Sequence, residues 1–121
     1  MSDTVPPLSP RMVSKALLET LEYEPVEPEK VLAGSPTTGY KELGTWKGVE
    51  VGIWEMTPGS MQDSEVEEIF IVIAGEATLT RTINGEEVTV ELSPGVLCHL
   101  EAGEQNRWDV RVALRKIYIA E

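Results

Sequence analysis

A chain with one cysteine cannot form an internal disulfide, and this sequence has only Cys98, beside its only histidine, His99. With no disulfide framework to read, a cytoplasmic protein is expected. Long apolar runs are missing as well. The uncharged stretch from Ile69 to Gly75 falls far short of the roughly 18 residues that argue for a membrane span. The first residues, Met1 to Pro7, have neither the basic nor the apolar region of a signal peptide, so a soluble product is expected. Basic residues are scarce: 10 Lys and Arg stand against 21 Asp and Glu, a formal net charge of −11. That field repels phosphate backbones and anionic lipid, which argues against nucleic acid or a membrane surface as partner. No dinucleotide-binding G-x-G-x-x-G, P-loop, G-x-S-x-G or C-x-x-C signature is present.

The residues that are present fit one small core, with 41% apolar and 26% charged residues in 121. The pattern divides the chain into three stretches. Residues 1–8 contain Pro6 and Pro7 and no periodicity, and read as a mobile arm. Residues 9–47 open with a helix signal. Ser9 suits the N-cap and Pro10 the first helical position, while Val13, Leu17 and Leu21 recur at four-residue steps. Pro25 ends this short N-terminal helix, and the prolines and glycines from Pro25 to Gly48 leave only short extended pieces that pack on the C-terminal stretch.

Residues 48–121 are all-β. Val49 to Met56 alternates, Glu68 to Ala74 is apolar on both faces, and Thr78–Thr82 and Glu87–Leu92 flank Asn84-Gly85, which supplies the positive φ angles of a tight hairpin. Val96–Leu100, Asn106–Val110 and Leu114–Ile119 complete a closing meander, the signature of a sandwich or barrel.

Within that barrel the spacing of Glu68 and Gly75, then of Gly95 and Gly103, resembles the two cupin motifs. Trp54-Glu55-Met56-Thr57-Pro58-Gly59, Ser93-Pro94-Gly95, Arg107-Trp108 and Leu114-Arg115-Lys116-Ile117-Tyr118 extend the likeness. Together they resemble the small single-domain cupins grouped with (S)-ureidoglycine aminohydrolase and the ethanolamine-utilisation cupins. The resemblance implies a cupin-type jelly-roll barrel, usually a homodimer, with a pocket at its open end. Cupins of known activity generally hold a transition metal with imidazoles and one carboxylate. Carried onto this chain, the ligand positions become Gln62, Ser64, Glu68 and Asn106, or Met61 and Asp63 in the other register, without one histidine. No cofactor and no tightly held metal are expected.

Glu68 is the best candidate for acid–base chemistry, since its motif position points it into the barrel, where burial raises a carboxyl pKa. One of Arg107, Arg111 and Arg115, or a polar neighbour, is expected to satisfy it. Glu67 faces the opposite side, and Cys98 and His99 diverge on their strand. Asn106 and Trp108 share a face, so Trp108 joins Gln62, Ser64, Glu68 and Asn106 as a candidate ligand-binding residue. Trp54 and Tyr118 remain open as pocket or packing residues. The expected function is binding of a small polar or planar metabolite in the barrel. The alternative is a small-metabolite hydrolase, isomerase or lyase with Glu68 as acid or base. The outward face of Ile69, Ile71 and Ile73 calls for cover and predicts a homodimer.

Overall fold

The computed structural model describes residues 5–121, and nearly all of the ordered backbone is β. The strands are β1 (Glu22–Pro25), β2 (Val31–Ala33), β3 (Thr37–Trp46), β4 (Val49–Met56), β5 (Gly59–Ser64), β6 (Glu68–Ile83), β7 (Glu86–Leu92), β8 (Leu97–Leu100) and β9 (Gln105–Ala120). They form one nine-stranded sheet that curls on itself as the cupin barrel does.

Two long strands make the curl. β6 and β9 pair antiparallel along their whole lengths, with register shifts between Val72 and Ala77. On one side of that break β6 takes β8 and β9 takes β4. On the other β6 takes β7 and β9 takes β5. Each long strand therefore serves two walls, and irregularities of this kind bend a sheet. Gly75 lies at the bend with φ +98°, and a Cβ there would land on the Ala113 carbonyl. Only glycine meets both demands at low cost. The inward faces of the walls carry Phe70, Leu79, Leu92, Leu100, Trp108 and Leu114, all fully buried.

The expected N-terminal helix does not form. Residues 9–21 are irregular chain with two short turns, marked by isolated bonds from Met12 N to the Ser9 carbonyl (3.0 Å) and from Leu18 N to the Lys15 carbonyl (2.8 Å). Among the described residues the only helical piece is one 3-10 turn, Pro28–Lys30. The buried guanidinium of Arg115 explains the difference: its Nη1 donates to the carbonyls of Ala16 and Glu19, each at 2.8 Å. A helix needs such carbonyls for its own i→i+4 bonds. Of the four-residue stripe only Leu21 is buried, while Val13 and Leu17 face solvent.

Further expectations change. Of the arm over residues 1–8, residues 1–4 lie outside those described, and beyond them Thr45 N donates to the Pro6 carbonyl (2.9 Å) and Leu8 N to the Thr45 carbonyl (2.8 Å). The segment before Gly48 carries a ten-residue strand, β3, rather than short pieces only; its register shift falls between Glu42 and Gly44, and β4 covers its other edge. Glu68–Ala74 is not sandwiched on both faces, since Ile69 (45% exposed) and Ile71 (37%) face outward. Among the described residues no helix is long and apolar enough to cross a membrane.

Candidate functional site

Alternation along β6 and β9 decides what enters the barrel. Glu68, Phe70 and Val72 point inward from β6, while Asn106, Trp108, Lys116 and Tyr118 point inward from β9. Lys116 stands opposite Trp54 of β4 and Val72 of β6, and is 4% exposed. Its Nζ donates to Glu68 Oε2 at 2.7 Å. The same ammonium lies 4.3 Å from the Phe70 ring centroid, 4.6 Å from that of Trp54 and 4.8 Å from that of Trp108. A desolvated cation among ring faces is held by their quadrupoles as well as by its counter-ion.

Lys116 is thus the partner of Glu68, which corrects the expectation of an arginine. Arg107 pairs with Asp109 (2.9 Å), Arg111 with Glu91 (3.0 Å) and Arg115 with Glu55 (2.6 Å). Each arginine stands on β9 with a carboxylate nearer than Glu68.

A second carboxyl enters from the connection between β5 and β6. Glu65 is fixed by its backbone, its N–H donating to the Glu104 carbonyl (2.9 Å) and its own carbonyl accepting from Gly103 N (2.8 Å). Glu65 Oε2 accepts from Trp108 Nε1 (2.9 Å) and Asn106 Nδ2 (3.2 Å), whereas Oε1 has no hydrogen bond among the described residues. Burial pushes the Glu65 pKa above the usual carboxyl range, against the opposing pull of Trp108 and Lys116. Across the cleft the Tyr118 hydroxyl donates to Glu50 Oε2 at 2.8 Å, and burial with that carboxylate raises its pKa. Gly52 lies directly beneath the Tyr118 ring, where a side chain would collide with it.

These groups line a cleft of about 370 Å³ at the barrel mouth, walled by Tyr40, Trp54, Trp108 and Tyr118. It adjoins a groove of about 710 Å³ with which it shares Tyr40, Trp54, Met61 and Asp63. Of the residues singled out in the sequence, Ser64, Glu68 and Trp108 line the cleft. Asn106 reaches it only through Glu65, and its Oδ1 is buried without a partner. Gln62 is exposed and lines a separate groove with Thr80 and Arg107. Met61 and Asp63, the other register, line the cleft beside Ser64. Cys98 is buried in the core with its thiol pKa raised by burial, and exposed His99 bonds Glu67 at 2.5 Å on the outer face.

The residues present do not fit a transition metal. The one motif carboxylate, Glu68, is occupied by an ammonium, and the neighbouring motif positions hold a thioether, a carboxylate and an amide. Among the described residues no three His, Cys, Asp or Glu side chains converge as a metal site. Sequence reasoning missed Lys116 and Glu65. Lys116 had a signal, its two-residue spacing from Leu114 and Tyr118 on an inward face. Glu65 had none, because it comes from a connection.

The sequence model of the EutQ-like cupin domain matches residues 43–118, more than half of the chain. No curated protein matches significantly. Among solved structures, a protein of unknown function from Pseudomonas syringae pv. tomato DC3000 superposes with a TM-score of 0.70 at 21% identity. The match covers 86% of this chain but 45% of that one, so this chain spans less than half the length of that relative. The EutQ protein of Clostridium difficile is 26% identical over 78% of each chain, with a TM-score of 0.55. Ethanolamine utilization protein Q of Salmonella typhimurium LT2 is 16% identical with a TM-score of 0.58, covering 84% of this chain and 94% of that one. With β6 and β9 bent into a barrel, the motif glutamate inside it and a family model that runs from the end of β3 through most of β9, the chain belongs to the EutQ-like cupin family.

Proposed function

We propose that the protein binds a small polar or planar organic metabolite in the cleft at the barrel mouth and does so without a tightly held transition metal. The observation that carries this reading is the Lys116–Glu68 ion pair within the Trp54, Phe70 and Trp108 rings. It puts a fixed positive charge beside the motif carboxylate and leaves aromatic walls facing a cavity of metabolite size. A thermal-shift screen of a metabolite library tests it, because a ligand selective for the native state raises stability by mass action. A hit abolished by Trp54→Ala supports the reading. Failure of every compound, or one equivalent of iron, nickel or zinc in protein purified without chelator, overturns it.

The enzymatic alternative, a hydrolase, isomerase or lyase acting on a small metabolite, is favoured by one observation, the half-buried Glu65 carboxyl on the cleft wall, whose pKa burial raises. A carboxyl that titrates nearer neutrality is suited to proton transfer. Glu68 is less available to a substrate, since its Oε2 is bound to Lys116. Product formation lost in Glu65→Gln but kept in the Trp54→Phe control would favour the enzyme over the receptor.

The reading extends to assembly and location. Ile69 and Ile71 adjoin Leu97, Ile117 and Ile119 across the strand pairs, and this outer face suits a second copy of the chain. A lone buried thiol suits the reducing cytoplasm.

A further inference from the structure

We propose that the ligand of this cleft is an organic cation, an amine or amidinium on a flat or short apolar body, seated between the Trp54 ring and Glu65. This rests on the reading of the barrel mouth as a small-molecule site and names the chemistry that the site selects.

Charge pairing carries the argument. Three lysines line the cleft and the groove beside it, and each is already tied to a carboxylate. Lys30 lies 3.1 Å from Asp63, Lys41 2.7 Å from Glu19 and Lys116 2.7 Å from Glu68. The carboxylates are not matched in the same way. Glu22, Glu24 and Glu42 line the groove with no ion-pair partner among the described residues. Glu50 and Glu65 receive hydrogen bonds only from neutral donors. An excess of unpaired carboxylates around a concave mouth gives it a negative potential, so the mouth repels anions and draws in cations.

Two independent features say where the cation stops. Glu65 is a half-buried carboxyl on the cleft wall with one oxygen unpartnered among the described residues, and an N–H donor is a group that oxygen can take. The rings of this cleft also have affinity for ammonium, since they already hold that of Lys116. The Trp54 ring is only partly buried, and Tyr40 is 61% exposed, so ring surface remains for a guest. A metal ion does not meet these demands, because no three ligating side chains converge among the described residues.

Tryptophan fluorescence and calorimetric titrations with three matched probes test the inference: benzylammonium, benzyl alcohol and benzoate. Benzylammonium is expected to saturate below about 50 mM, and benzyl alcohol to bind about tenfold more weakly or worse. Benzoate should not bind. Glu65→Gln, which keeps an acceptor for Trp108 and Asn106, should weaken benzylammonium about tenfold. Because that variant has its own folding risk, parent protein titrated at high salt gives a second measurement, and affinity for benzylammonium should fall. Benzoate or benzyl alcohol binding as tightly as benzylammonium, no saturation by benzylammonium, or indifference of a folded Glu65→Gln protein and of the parent to salt would each overturn it. A neutral or anionic library hit that Trp54→Ala abolishes would leave the receptor reading standing while this inference fell. No library hit at all would remove both.

Discussion

Trp54 and Lys116 stand directly opposite each other on β4 and β9, with the indole centroid 4.6 Å from the ammonium. Trp54 therefore does two things at once. One part of the ring closes the cage around the chain's own cation, and the rest faces the cleft in which a ligand would lie.

Lys116→Met tests the cage by leaving Glu68 buried and unpaired. Removing one member of a buried pair costs about 3–5 kcal/mol. The double variant Lys116→Met, Glu68→Leu should recover most of that loss, because it removes the stranded charge too. Urea denaturation of the parent and both variants gives the comparison. A single variant within about 1 kcal/mol of the parent would mean that Glu68 finds another partner.

Glu65→Gln tests the direction of the raised Glu65 pKa through stability. The folded carboxyl holds its proton at higher pH than the unfolded one, whose ordinary value is 4.5. The folded state therefore binds more protons above that value, and stability falls as pH rises through the window between the two pKa values. The glutamine does not titrate. Its stability relative to the parent should be flat below about pH 4 and improve as pH rises toward neutrality. A relative stability that moved the opposite way would show a carboxylate favoured in its charged form.

Gly75→Ala should destabilise the fold by more than about 1 kcal/mol, because alanine at a positive φ is strained and its Cβ meets the Ala113 carbonyl. The loss should be registered by both walls of the barrel, since β6 bends between them there. Hydrogen exchange confined to one wall would contradict this.

The outer face of β6, β8 and β9 should support a homodimer, and Leu97→Glu should break it. Leu97 is 68% exposed and pairs with Ile71 at the middle of the apolar patch. Light scattering is expected to give a dimer mass for the parent at micromolar concentration and a monomer mass for the variant. A monomeric parent would refute the assignment.

Legibility from sequence tracked how local each determinant is. The hairpin at Asn84-Gly85 was readable because both residues need positive φ, and they have it, at 53° and 81°. Glu68 facing inward followed from its place in the motif, and Glu67 facing outward from alternation along the strand. The helix expected from Ser9 and ended by Pro25 failed where the Ala16 and Glu19 carbonyls were claimed by Arg115, a residue no local pattern connects to them. The register of Gln62 and Ser64 against Met61 and Asp63 stayed open because the segment before Glu68 is short and ends in a connection rather than a strand. The same connection delivers Glu65, so the least patterned stretch of the motif supplies one of the groups that line the cleft.

Arg115 reaches the Ala16 carbonyl across a separation of 99 residues and that of Glu19 across 96. Contacts of such long sequence separation form late, and the few local bonds within residues 9–21 build no regular element to hold the segment before β9 exists. Folding should therefore end with the docking of this segment, after the barrel has closed. Glu22 and Glu24 come directly after it in the chain and line the groove at the barrel mouth. A ribosome must thus release the chain through Arg115 before the segment that leads into them can dock on β9.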